Sequence, residues 1–233
     1  MKMIANLFRS SLGKKFVMAV TGFILFGFVL GHLAGNLQIF FGPETINRYG
    51  KFLHENVELL WPVRIILVAV VGLHVWAAIA VSLENKAARP VAYAEYKPVG
   101  STYASRTMLM SGIILFVFLI YHLLHYTVQM PAVNLTGKDF TKMVEGGHTD
   151  VFAMMVTGFR QPFVSLFYVV GVGLVCLHLS HGVSSMFQSL GWKNEAYRPI
   201  LDRLAHIVAV LIFFGYISIP IAILLGFGKE YVK

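Results

Sequence analysis

Charge is scarce in this 233-residue chain: Asp, Glu, Lys and Arg make up 13% of it, against 57% hydrophobic residues and a mean hydropathy of +0.71. An ordinary soluble domain carries roughly 25% charged residues, so this composition excludes one. Charge is missing altogether from five stretches: Phe16 to Pro43, Ile65 to Leu83, Thr107 to Gly137, Gln161 to Trp192 and Leu204 to Gly228. Cysteine is nearly absent too. The lone Cys176 excludes an internal disulfide and an iron–sulphur cluster held by this chain, since a cluster needs about four ligands. No glycine-rich dinucleotide fingerprint follows a strand, and no basic stripe interleaves with aromatics. Nucleic acid is therefore not an expected partner, and electrons, if this chain moves them, must reach it through a partner subunit.

What is there is hydrocarbon-compatible helix. About 20 residues at 1.5 Å per residue cross the roughly 30 Å apolar core of a bilayer. The first stretch is too long for the apolar core of a signal peptide, about 7 to 15 residues, and reads as a retained span. Arg64 stands beside Trp61 and Pro62, where a long cation reaches the interface, so the second span is expected to begin near Trp61. The predicted spans are 16–40, 61–84, 107–130, 161–187 and 203–228, within one transmembrane domain covering 1–233.

Orientation follows from the basic residues. The segments on the amino-terminal side, which include Lys2, Lys14, Lys97, Arg106 and Lys193, hold eleven basic residues against four acidic ones, and the other side holds eight against seven. The positive-inside rule then predicts a cytoplasmic amino terminus. The formal charge of +8 needs no further explanation.

Seven of the nine histidines fall inside the charge-free stretches: His32, His74, His122, His125, His178 and His181, with His206 two residues inside the last one. Ionisable side chains at membrane depth are costly, and each is a functional hypothesis. Height along the helices sorts them. His32 and His122, on spans that run outward, both lie roughly 23 Å from the cytoplasmic edge. His74 and His178, on spans that run inward, lie roughly 10 to 15 Å above it. Two histidines level with one another on different helices are what a flat macrocycle standing between them requires. The expectation is an all-α membrane protein of five helices, four of them bundled around two b haems with iron held by His32, His122, His74 and His178. His125 and His181 stand three residues from His122 and His178 on the same face, so each is an alternative to its neighbour. Gly27, Gly31 and Gly35 beside His32, and Gly182 one turn after His178, would admit a ring edge or close helix packing.

These residues resemble a known family, the cytochrome b membrane anchor of di-haem succinate:quinone oxidoreductases (succinate dehydrogenases and fumarate reductases). The resemblance spans nearly the whole chain and is carried by SSLGKKFVMAVTGFILFGFVLGHLAGNL from Ser10 to Leu37, LHVW around His74, YHLLHYT around His122, and HLSHGVSSMFQSLGW from His178 to Trp192. It implies a distal haem on His32 and His122 and a proximal haem on His74 and His178, the latter supported by the H-x-x-x-G spacing to Gly182. It also implies a flavoprotein and an iron–sulphur subunit on the cytoplasmic face of the inner (cytoplasmic) membrane, and electron exchange with quinone, commonly menaquinone. The dicarboxylate chemistry of the tricarboxylic acid cycle and respiratory chain would lie in those partners, and a higher oligomer of the whole complex stays open.

Ser10, Ser11, Arg106 and Lys193 are placed for haem propionates, although interfacial cations are expected without haem. In the outward segment from Asn36 to Arg64, the residues Asn36, His54, Glu55 and Glu58 are candidates for a quinone site, with Glu55 or Glu58 as its carboxylate; a solvated amphipathic connector is the plainer alternative. Some relatives carry a glutamate two residues before the fourth-span ligand, where this chain has Cys176. Other readings are the di-haem cytochrome b of a nitrate reductase or hydrogenase, and an intramembrane metal enzyme built on the two H-x-x-H pairs.

Overall fold

The computed structural model describes residues 7–89, 91 and 101–231. Lys2 and Lys97, counted above for orientation, lie outside them. In hydrocarbon every backbone amide must find its partner within the chain, which favours long helices wherever charge is absent. The helices of 9 residues or more are α1 (Ser11–Leu37, prolonged by a 3-10 turn over Gln38–Phe41), α2 (Pro43–Glu55), α3 (Val57–Ala87), α4 (Met108–His122, prolonged by a π turn over Leu123–Thr127), α5 (Val151–Phe159), α6 (Pro162–Ser189) and α7 (Arg198–Leu224). Five of them, α1, α3, α4, α6 and α7, are long and apolar enough to cross a membrane, and among the described residues the structure is all-α except for one short hairpin. In that hairpin β1 (Val144–Glu145) pairs antiparallel with β2 (His148–Thr149).

The helix limits depart from the charge-free stretches for local reasons. Ser10 accepts a hydrogen bond from the Gly13 amide at 3.0 Å, and α1 starts beside that cap, ahead of Phe16. The second span starts at Val57 and not at Trp61, because the Asn56 carbonyl already accepts from the Leu59 and Leu60 amides at 3.0 Å. Pro62 is tolerated there since the carbonyl it deprives, four residues back, belongs to the exposed first turn. The last span is shifted toward the amino end: Pro199 suits a first turn, and Gly226 (φ 112°) and Gly228 (φ 76°) adopt a backbone that ends it. The connector carrying Glu55 is itself the amphipathic helix α2, with Pro43 in its first turn.

The chain divides into two compact units, to each of which all five long helices contribute. The first comprises Met1–Phe28, Arg64–Ile113 and Leu177–Ala209. Its core is Ala19, Val183, Met186 and Ala205. Two lysines are folded inward near its helix ends. Lys14 pairs with Glu84 and donates to the Arg9 carbonyl at 2.9 Å, while the Ser11 hydroxyl donates to the other Glu84 oxygen at 2.6 Å. Lys193 pairs with Asp202 at 2.5 Å and donates to the Ser184 hydroxyl at 2.5 Å. Such a lysine is held by its partners, and losing one partner would leave a charge poorly hydrated.

The second unit comprises Val29–Val63, Ile114–Cys176 and Val210–Lys233. Its core joins Ile39, Ile46, Phe152, Val156, Phe159, Tyr168, Ile219 and Ile223, so α2 and α5 are packed onto the ends of the long helices. Asn47 of α2 ties this region together. Its side-chain amide donates to Glu145 at 2.8 Å and to Asp150 at 2.9 Å, and its oxygen accepts from the Phe152 amide at 3.0 Å. Asp150 in turn caps α5 by accepting from the Ala153 amide at 2.9 Å. Asn47→Ala is expected to loosen this outer layer by about 1 to 3 kcal/mol. Hydrogen exchange should quicken across residues 144–153 and stay unchanged in α6; equal protection in the variant would contradict the role given to Asn47.

Candidate functional site

Each unit contains one pair of facing imidazoles. In the first unit His74 of α3 and His178 of α6 have ring centres 6.5 Å apart and planes at 64°. Both are fixed through Nδ1. The Met18 carbonyl lies 3.1 Å from His74 Nδ1, and a carbonyl can only accept, so that nitrogen carries the proton. The Thr21 hydroxyl donates to the Val17 carbonyl at 2.7 Å and is left to accept from the same Nδ1 at 3.0 Å. The Ser111 hydroxyl repeats the device: it donates to the Met108 carbonyl at 3.0 Å and accepts from His178 Nδ1 at 3.2 Å. With Nδ1 protonated, each neutral ring keeps its lone pair on Nε2. A Cβ on Gly22 would come 3.3 Å from His74 Cε1, so the missing side chain lets this ring lie close against α1.

In the second unit His32 of α1 and His122 of α4 have ring centres 5.7 Å apart and planes at 81°. Phe118 stacks on His122 at 6.3 Å, and Tyr216, whose hydroxyl donates to the Val29 carbonyl at 2.8 Å, lies 6.3 Å from His32. Tyr168 of α6 places its hydroxyl 3.2 Å from His122 Nδ1. Phe118 can stack there because α6 has Gly171 at the point where a Cβ would collide with the phenylalanine ring.

The ring separations carry chemical information. Two imidazoles bound to opposite sides of one metal, with metal–nitrogen bonds of about 2 Å, have ring centres roughly 6 Å apart. Both pairs fall at that spacing, each joining two different helices. Gly31 beside His32 and Gly182 one turn beyond His178 have no heavy atom within 4 Å of an added Cβ, which leaves room along the helix surface next to each pair. The residues present therefore fit bis-histidine haem. Gly35 does not serve this purpose: a Cβ there would lie 2.9 Å from the Tyr49 ring, so it is a packing glycine.

Within the H-x-x-H pairs, His122 and His178 are the members whose rings face a histidine of another helix. His181 bonds the Ser185 hydroxyl through Nε2 at 2.9 Å, and His125 is enclosed by aromatic rings. The propionate candidates have partners of their own: Ser10 caps α1, Ser11 donates to Glu84, Arg106 donates to the Ser101 carbonyl at 2.9 Å, and Lys193 holds Asp202. Of the quinone candidates, Asn36 donates to the His32 carbonyl at 2.7 Å, and His54 Nδ1 bonds the Gly50 carbonyl at 2.8 Å. Glu55 lies 3.5 Å from His148 and 3.7 Å from Lys51, and Glu58 is exposed in the first turn of α3. A cavity of 350 Å³ lies beside that group, lined by Glu44, Asn47, Arg48, Lys51, Glu145 and His148 among others.

Thr21, Ser111 and Tyr168 are the site residues that reading the histidines alone misses. Their signal in the sequence is a hydroxyl inside a charge-free stretch, at a height matching a histidine of a neighbouring span. Comparison of the chain with known protein families, curated proteins and solved structures gives no match.

Replacing Ser111 with alanine leaves His178 Nδ1–H without its acceptor. The expected cost is about 0.6 to 1.7 kcal/mol, the range measured for hydrogen bonds between membrane helices. Thermal unfolding in detergent should show Ser111→Ala below wild type and Ser111→Thr restored; equal stability of all three would remove Ser111 from the site.

Proposed function

We propose that this chain is the di-haem cytochrome b anchor of a succinate:quinone oxidoreductase, passing electrons between an iron–sulphur subunit and membrane quinone, with menaquinone the first candidate. The observation that carries the reading is the repeated pair of facing imidazoles on alternate long helices, His32 with His122 and His74 with His178, at separations of 5.7 and 6.5 Å. His32 with His122, and His74 with His178, would each hold one b haem, and a haem so held would supply one-electron transfer. The rest is the work of this chain's own residues. Met18, Thr21 and Ser111 hold protons on Nδ1 and direct the Nε2 lone pairs of His74 and His178, an outer layer of hydrogen bonds of the kind that orients metal-bound imidazoles. The apolar helices around the rings exclude water and fix their distances.

The positive-inside bias supports an amino terminus in the cytoplasm, and hence a cytoplasmic-membrane protein whose flavoprotein and iron–sulphur partners dock on that side. Glu55 and Glu58 are the carboxylates proposed for proton exchange with quinone, and Glu55 has the half-buried His148 as a neighbouring proton carrier.

Dithionite-reduced-minus-oxidised spectra of the purified chain should show low-spin b-type bands equivalent to two haems per protein. Substituting His32, His74, His122 or His178 with alanine should remove one. A colourless preparation from haem-replete cells would overturn the proposal. Direction rests on Cys176, a buried thiol and a poor proton carrier at the place where some relatives have glutamate. In sealed vesicles of the whole complex, succinate oxidation is expected to respond to an uncoupler, and indifference to it would count against a succinate oxidiser coupled to the membrane potential.

A further inference from the structure

His125 belongs to no facing pair, yet it is completely enclosed. Tyr126 lies 4.0 Å from its ring centre, Phe140 5.6 Å and Tyr168 5.7 Å. Imidazole in such surroundings is costly unless its nitrogens are used. One of them is. The Tyr168 hydroxyl stands 3.1 Å from His125 Nδ1 as well as 3.2 Å from His122 Nδ1. A hydroxyl has one proton to give, so it can donate to only one of these nitrogens and must accept from the other. If His122 offers Nε2 to a metal, its proton is on Nδ1. The order in which the phenol proton also has an acceptor is this: His122 Nδ1–H donates to Tyr168, and Tyr168 donates to His125 Nδ1. His125 consequently carries its own proton on Nε2, a buried nitrogen with no hydrogen-bond partner among the described residues, so the chain of bonds ends there. That leaves His125 no lone pair with which to replace His122 as a ligand.

We infer that Tyr168 and His125 are positioning residues for the haem held by His32 and His122, acting as a polarised hydrogen-bond chain behind the His122 ring. The inference rests on the di-haem reading. A phenol that is itself donating is a stronger acceptor, because successive bonds polarise one another in low-dielectric surroundings. His122 Nδ1–H is thereby drawn outward and Nε2 becomes more electron-rich, which favours the oxidised iron and lowers the potential of this centre. The other pair has no such extension: Ser111 hands its proton to the Met108 carbonyl on its own helix, and Thr21 to Val17. The two centres thus differ in the layer behind the ligands even though the ligands are the same.

The test is a redox titration of the haem-loaded full chain, followed optically and by electron paramagnetic resonance. Tyr168→Phe keeps the ring that meets Phe159 edge-on at 5.0 Å and removes only the hydroxyl. It should retain two haems, raise one midpoint potential and leave the other in place. The expected change is about tenfold in the reduced-to-oxidised ratio at fixed ambient potential, equivalent to about 59 mV for a one-electron couple. His125→Leu should move the same centre in the same direction by less, and His125→Asn, whose side-chain oxygen can accept near the place of Nδ1, should return it toward wild type. Two haems with both potentials unmoved in Tyr168→Phe and His125→Leu would overturn this inference and leave the di-haem reading standing. A wild-type chain without haem would overturn both.

Discussion

An imidazole held in hydrocarbon has two nitrogens with opposite needs, a proton that must be donated and a lone pair that must be placed, and water is not there to serve either. Here the first need is met by groups already committed elsewhere. A carbonyl at Met18 and hydroxyls at Thr21 and Ser111, which have spent their own protons on helix carbonyls, can do nothing for His74 and His178 except accept. That one-sidedness orients the rings and leaves each lone pair on Nε2, with the ring centres 6.5 Å apart. The proposed electron-transfer role depends on this more than on the number of histidines.

The polar groups at the helix ends divide between fold and site. Lys14 and Lys193 bend inward to carboxylates on neighbouring helical turns, and Asn47 draws a hairpin and the start of α5 onto α2. None of these contacts the imidazole pairs. They keep in place the helices on which the pairs stand, and a shift of about 1 Å between those helices would spoil the spacing that the proposed haem ligation needs. Of the cations read from sequence as groups for an acidic ligand, Lys193 is thus already paired with the chain's own Asp202, and Arg106 donates to the Ser101 carbonyl.

Much of this was legible in the residues. Charge-free stretches locate five apolar helices because hydrocarbon permits little else. Height along those helices, a product of residue number and a constant rise, pairs His32 with His122 and His74 with His178, and these are the rings the structure brings together. What was not legible depends on side-chain direction. Sequence spacing puts Gly35 in line with Gly27 and Gly31, yet Tyr49 fills the space over it. Thr21, Ser111 and Tyr168 look like ordinary small or aromatic members of a span until the opposing helix is in place. The helix limits erred where caps outweighed hydropathy, at Ser10, Asn56 and Pro199.

The π turn that follows α4 holds one more residue in its loop than an α turn would, closed by the Val128 amide on the Leu123 carbonyl at 2.8 Å. His122 lies before it and His125 within it, so the angle between these two side chains around the axis is not that of a plain i, i+3 pair, although both still reach one phenol. Chain length is therefore part of this region's chemistry. Removal of a single residue between the two histidines would let the segment relax to regular winding, with every hydrogen bond of the backbone kept, while swinging all that follows by about 100°. Evolution could trade this arrangement for another by one codon deletion, and a survey of natural relatives would see that exchange as a gap rather than as a substitution.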